Sequence, residues 1–245
     1  MEDRKLGEGI ARQELNLIFV IDKSGSMEGE KIGAVNNAIR DVMTIMPDIQ
    51  ADTSDATIKI SALTFSDKAE WVYAEPKGVN DFKWSDIEPD AGTDLSNAYD
   101  ELAKKLTKRE KGGMMPDIGG VAPIIILMTD GLPTSYDWED HLKDLKKKGW
   151  FKVALKYALS IGIDTDEAMD VLTKFTGNPE TVLKVYTAEA LRKVIKVIAV
   201  TASKVKSNSS SVSKSNNGSS EAASNNEIAQ AEIANKLEEV EDVEW

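Results

Sequence analysis

Cysteine is absent from the 245-residue chain, and histidine occurs once, at His141. The first absence excludes disulfides, thiolate metal sites and cysteine nucleophiles. The second excludes zinc sites built from several imidazoles. No apolar run approaches the about 18 residues that a membrane span needs. The opening stretch, MEDRKLGEGIARQ, is polar and lacks the apolar core of a secretory leader. The expectation is a cytoplasmic protein with no membrane contact. Positive charge is also in deficit: 30 Lys and Arg stand against 42 Asp and Glu, a net charge of −12. Such a chain gains nothing from neutralising phosphates, so nucleic acid is not expected as a partner. The balance suits a cation or a basic protein surface, although many acidic proteins bind neither.

What is present is an alternation of strands and helices. LNLIFVID (15–22) is apolar and β-branched, as in a strand buried on both faces. Apolar residues at helical spacing follow over 31–46, and Pro47 is expected to end that helix. Strands are expected at 57–66, 122–130 and 181–186, with a short edge strand at 69–74. The stretch 151–163 reads as a strand whose apolar end also fits a helix. Helices are expected at 95–106, 138–148, 166–177 and 188–205. This order implies an α/β fold: a three-layer, doubly wound, mostly parallel sheet with one antiparallel edge strand. The expected organisation is an N-terminal extension (1–13), the α/β domain (14–205), a low-complexity flexible linker (206–223) and an acidic amphipathic segment (224–245). In that last segment Ser224 and Glu227 have capping-box spacing, and Ala229, Ile233, Leu237 and Val240 share a helical face.

The chemistry-bearing residues sit where strands end. FVIDKSGSM (19–27) closes the first strand on Asp22, Ser24 and Ser26, three oxygen-bearing side chains on alternate residues. The most apolar strand closes on Asp130. A third loop, AGTDLSNA (91–98), offers Thr93 just before a helix. In an open doubly wound sheet, ligands bind beyond the carboxyl ends of strands, where the strand order reverses. If the first and most apolar strands are neighbours there, two carboxylates meet, an unfavourable arrangement unless a cation lies between them. Carboxylate and hydroxyl oxygens suit a hard cation, Mg2+ or Mn2+ ahead of Ca2+.

DKSGSM, the threonine of GTDL and the aspartate of MTDG resemble, in order and spacing, the metal-ion-dependent adhesion site of von Willebrand factor type A domains. The resemblance covers roughly residues 14–204. It implies that Ser24 and Ser26 bind a divalent cation directly, and that Thr93 does so directly or through water. Asp22 and Asp130 would act through waters or hydrogen bonds, and a partner protein's Asp or Glu carboxylate would take the open position. AGT stands where GGT is more usual, but the missing glycine is not a ligand. The stretches AVNNAI, LTFSDKAEW, GGMMPD and MTDGLPT look like the bacterial branch associated with tellurite resistance and chemical stress, in which the domain often accompanies a kinase and a phosphatase.

Other readings stand beside this one. The S-G-S turn alone is a common loop, and Asp22 alone could be a cap. Asp94 is expected to cap the next helix rather than join the site. Asp164 and Asp166 end another strand and could form a second cation site, but a turn and cap is the simpler reading. His141 is expected on a solvated helix face, as is the KDLKKK run. Met114 and Met115 are either a partner surface or loop packing. Trp71, Trp84, Trp138 and Trp150 are expected to pack on the core. Trp245 is either a docking anchor or without fixed structure. An enzyme is the weakest alternative. A phosphoaspartyl phosphatase needs D-x-D, whereas Ser24 occupies the third place. There is no phosphate-binding G-x-x-x-x-G-K-[ST] loop. A scaffold that recruits partners through its C-terminal segment, its metal being structural, is the remaining alternative.

Overall fold

The computed structural model describes residues 13–53, 56–118, 120–163, 165–210, 220–237 and 243–244. The N-terminal extension up to residue 12, Asp164, Val240 and Trp245 lie outside them. The strands are β1 (Gln13–Asp22), β2 (Ala56–Phe65), β3 (Ala69–Trp71), β4 (Lys77–Gly78), β5 (Ile124–Thr129), β6 (Leu155–Ile161), β7 (Val182–Val185) and β8 (Val243–Glu244). The helices are α1 (Glu30–Asp52), α2 (Leu95–Lys105), α3 (Trp138–Leu145), α4 (Gly149–Val153), α5 (Asp166–Thr176), α6 (Ala188–Ser210) and α7 (Ser220–Leu237).

The sheet order is β3-β2-β1-β5-β6-β7-β8, with β4 also on β2. The strands β2, β1, β5, β6 and β7 are parallel, and β3 is the expected antiparallel edge strand. The two-residue strands β4 and β8 add further antiparallel pairing, β8 on the β7 edge. Neighbouring β1 and β5 lie in register, Ile21 beside Met128, so the strand order reverses between them. Alternation along β1 sends Leu15, Leu17, Phe19 and Ile21 to one apolar layer, shared with α1 and α6. Ile18 and Val20 enter the other layer, shared with α2, α3 and α5. Burial on both faces is why β1 and β5 read as unbroken apolar runs.

Three elements differ from expectation. Pro47 does not end α1, which continues to Asp52. An interior proline removes a hydrogen bond and costs about 3 kcal/mol, but Met46 before it and Ile49 beyond it are buried, and that burial holds the helix together. Residues 151–163 are not one strand. A short helix, α4, precedes β6, because Phe151 turns into the layer with α2 and α5 and packs edge-on against Phe175 at 5.5 Å. Finally, α6 runs on to Ser210, and α7 begins at Ser220, so Ser224 lies inside a helix rather than capping one. Ile233 and Leu237 of α7 are fully buried in the layer of α1 and α6, and the Lys236 ammonium donates to Thr201 Oγ1 at 3.2 Å.

Candidate metal centre

β1 delivers Asp22 to the rim, where its carboxylate is buried. Asp22 Oδ1 accepts from the Ser24 backbone N–H (2.7 Å), which folds the chain into a tight turn. Asp22 Oδ2 accepts from Thr129 Oγ1 (2.5 Å), the last residue of the neighbouring strand β5. The same hydroxyl accepts from the Gly131 N–H at 3.1 Å. Burial pushes the Asp22 carboxyl above its ordinary range, opposed by the Thr129 and Ser24 hydrogen bonds, with the charge of Asp130 adding to the rise.

The turn aligns the serines. Ser24 is buried and Ser26 exposed, yet their hydroxyls lie 3.0 Å apart. Ser26 Oγ donates to Asp130 Oδ1 at 2.7 Å, and Asp130 is itself buried. Thr93 is buried beside them. A Cβ placed on Gly131 would lie 3.7 Å from Ser26 Oγ and 3.9 Å from Thr93 Cγ2. The Thr93 carbonyl accepts from both the backbone N–H and the hydroxyl of Thr134, each at 2.9 Å, which ties the third loop to the loop after β5. All five residues singled out in the sequence thus meet at the switch point between β1 and β5.

Their loops are braced from outside the cluster. Lys23 pairs with Asp90 at 3.5 Å. The Asp90 N–H donates to the Lys23 carbonyl at 2.7 Å. The Ala91 N–H, and then Lys23, hold the Asp90 carboxyl below its ordinary range. Gly92 has φ +79°, where a larger residue is strained, and a Cβ there would fall 1.5 Å from Asp67 Oδ1, so glycine eases the closing of this loop onto the turn after β2.

Other candidates fall elsewhere. Asp94 caps α2, accepting from the N–H groups of Ser96 (2.9 Å) and Asn97 (3.3 Å). Thr165 caps α5, and Asp166 stands in its first turn. Met114 and Met115 are buried, and the four tryptophans pack partly buried on the two layers. His141 is not a simply solvated residue. Its Nδ1 is 2.7 Å from Asp100 Oδ1 and its Nε2 3.4 Å from Asp137 Oδ2, which ties α3 to α2; the Asp100 hydrogen bond leads in raising its pKa.

Sequence reasoning missed two members of the cluster. In the sequence Thr129 is the end of an apolar strand, with nothing of its own to mark a role. Lys31 enters from the first turn of α1, and its ammonium contacts Asp130 Oδ2 and, at 3.3 Å, the Ser26 carbonyl. The signal for Lys31 was a lone base five residues past Ser26, on the helix that the turn feeds.

The donors fit a hard cation. Two buried carboxylates back three hydroxyl residues, and among the described residues no group of three or more His, Cys, Asp or Glu is placed to hold a metal. A softer, nitrogen- or sulfur-rich site is therefore not offered by this geometry.

The family model described as "von Willebrand factor type A domain" matches residues 16–197. Inter-alpha-trypsin inhibitor heavy chain H4 of Bos taurus is 34% identical over 121 residues, 49% of this chain and 13% of the relative. Heavy chain H1 of Mesocricetus auratus is 28% identical over 166 residues, 65% of this chain and 17% of the relative. The chain thus spans under a fifth of the length of these relatives. Among solved structures, proximal thread matrix protein 1 from the mussel byssus, with a zinc-occupied MIDAS motif, aligns with a TM-score of 0.55 at 17% identity, covering 80% of this chain and 46% of that one. A von Willebrand factor type A protein from Catenulispora acidiphila aligns with a TM-score of 0.55 at 15% identity, covering 78% and 42%. The fold, the order of its site-bearing loops and the matched residues agree: this chain belongs to the von Willebrand factor type A domain family.

Proposed function

We propose that Asp22, Ser24, Ser26, Thr93 and Asp130 hold a divalent cation, Mg2+ first and Mn2+ or Ca2+ as alternatives, to which a partner protein presents an Asp or Glu carboxylate. The observation that carries this reading is the pair of serine hydroxyls 3.0 Å apart, backed by two buried carboxylates. Ser24 and Ser26 would be direct ligands; Thr93 would bind directly or through water; Asp22 and Asp130 would orient them and supply charge. When bound, the cation supplies a positive centre with an exchangeable position, and so attracts a carboxylate that this acidic surface would otherwise repel. Leu132 and Tyr136 are exposed on the loop that follows Gly131, which supports a contact surface beside the site. A zinc-occupied site in a mussel protein of this fold supports a divalent ion there.

The protein is read as an interaction module, not an enzyme: His141 pairs with Asp100 and Asp137, away from the cluster, and Lys23 is held by Asp90. The alternative of recruitment through the C-terminal segment loses its motive in part, because Ile233 and Leu237 are buried in the chain's own core. We place the domain at 14–205 and the acidic segment from 224, docked in cis through those two residues; of the linker expected at 206–223, residues 206–210 continue α6, 220–223 begin α7, and 211–219 lie outside the described residues. A cytoplasmic stress-response setting of the tellurite-resistance type, with a kinase or phosphatase as partner, is our reading of the stretches AVNNAI, LTFSDKAEW, GGMMPD and MTDGLPT. The absence of cysteine is compatible with a reducing compartment.

The test is affinity capture with the full chain as bait, in Mg2+ or in EDTA, using wild type and Ser24→Ala/Ser26→Ala. The expected result is a partner held only by wild type in Mg2+, and lost when one Asp or Glu of that partner is changed to Ala. Equal capture in all arms contradicts the metal bridge.

A further inference from the structure

The cluster already contains a cation of its own. The Lys31 ammonium contacts Asp130 Oδ2 and the Ser26 carbonyl, two groups beside the serine hydroxyls. The Asp130 side chain is 0% exposed and that of Lys31 34% exposed. A carboxylate buried to this degree is costly unless paired, and Lys31 is the base paired with it among the described residues. The lysine stem reaches the site across Gly162, where an added Cβ would lie 3.5 Å from Lys31 Cε. On its outer side Lys31 lines a cavity of about 650 Å³ between α1 and the start of α6, with Glu30, Ile161, Tyr186 and Leu191. The ammonium therefore has a buried anion on one side and open space, with an acid on its wall, on the other.

We propose that Lys31 is a resident counter-ion of the metal centre: it neutralises Asp130 when no divalent ion is bound and leaves that carboxylate when one arrives. This rests on the metal reading given above. An ammonium and a divalent cation against the same carboxylate repel one another, so the two positive charges compete. Two consequences follow. The site keeps its shape without metal, because Asp130 stays compensated. Affinity for the ion is lower than the oxygen donors alone would give, because each binding event breaks the Lys31 contact. Lys31 is a positioning residue; it is not a ligand.

The experiment is calorimetric titration of Mg2+ and Mn2+ into the full chain at fixed ionic strength, for wild type, Lys31→Met, Lys31→Gln and Lys31→Arg. The expected result is that the two neutral variants bind the ions on the order of tenfold tighter than wild type, while Lys31→Arg stays close to it. Wild-type binding with unchanged affinity in the neutral variants overturns the counter-ion role and leaves the metal site standing. Failure of every protein to bind overturns the site and this role together. A second measurement does not depend on a variant folding: labelling of wild-type lysines with an amine-reactive reagent, read by mass spectrometry, in Mg2+ and in EDTA. Lys31 is expected to label several-fold faster in Mg2+, with Lys104 on α2 as an unchanged reference. Equal labelling of Lys31 in both conditions overturns the proposal.

Discussion

The carboxyl rim of the sheet and the contact between α6 and α7 bury opposite kinds of atom. At the carboxyl ends of β1 and β5 the chain buries oxygen, and it matches Asp22 and Asp130 with hydroxyl, amide or ammonium donors. Along α6 the chain buries carbon, with Ile233 and Leu237 of α7 inside the layer built by α1 and α6. The matching there is looser. Tyr157, under α7, buries a hydroxyl with no hydrogen-bond partner among the described residues, beside a cavity of about 370 Å³ that Gln230 and Ala234 help to line. Donors specify geometry at the rim, because a misplaced buried carboxylate is expensive; apolar contact under α7 tolerates imperfect fit. The rim thus fixes the positions of polar atoms, and the α7 contact adds buried apolar area.

If that division is right, damage at α7 should leave the rim untouched. Leu237→Ala truncates a fully buried side chain and is expected to cost about 2–5 kcal/mol of stability, measured by urea unfolding, with the metal-binding isotherm unchanged. A change in metal affinity would mean that the two regions are coupled through α6. Thr129→Val is the converse change. It strips Asp22 Oδ2 of its 2.5 Å donor inside the protein. A loss of about 1–3 kcal/mol is expected, here accompanied by weaker metal binding, since groups that orient ligands commonly cost tenfold or more in affinity when removed. Stability loss with unaltered metal binding would show that Asp22 serves only the fold.

The smallest effect lies away from both regions. The Asp100 and Asp137 carboxylates raise the His141 pKa above its ordinary 6.5. A raised pKa means that the charged imidazolium favours the folded state. Its contribution is complete below pH of about 6.5 and disappears as pH rises through the higher folded value. The groups are partly exposed, so the slope is shallow. Unfolding of wild type and His141→Gln across this window should show the slope only in wild type; equal slopes would assign it elsewhere.

Most of the rim was legible in the sequence, because its elements announce themselves locally. Apolar runs end on Asp22 and Asp130, a glycine turn spaces Ser24 and Ser26, and Thr93 precedes a helix. Strand order brought them together, and the alternation of strands and helices implied that order. Lys31 and Thr129 were not legible as site members, since a base in a helix and a threonine in a strand look ordinary until a third dimension places them. Pro47 is a poor stop signal here, because the burial of Met46 and Ile49 outweighs proline's local cost. The α7 contact was half legible. The spacing of Ile233 and Leu237 showed an apolar face, but nothing local says whether such a face meets its own chain or another. The strand β8 was invisible, since Val243–Glu244 is too short to carry a period.

The most direct test of the account is calorimetric titration of Mg2+ into wild type and Ser24→Ala/Ser26→Ala, with unfolding curves for both. The account predicts a single site in wild type, loss of binding in the double variant and a metal-free stability lower by about 1–3 kcal/mol, because the double variant removes the Ser26 hydroxyl that donates to the buried Asp130 carboxylate. Equal binding by both proteins, or no binding by a folded wild type, would contradict the claim that these hydroxyls hold a metal.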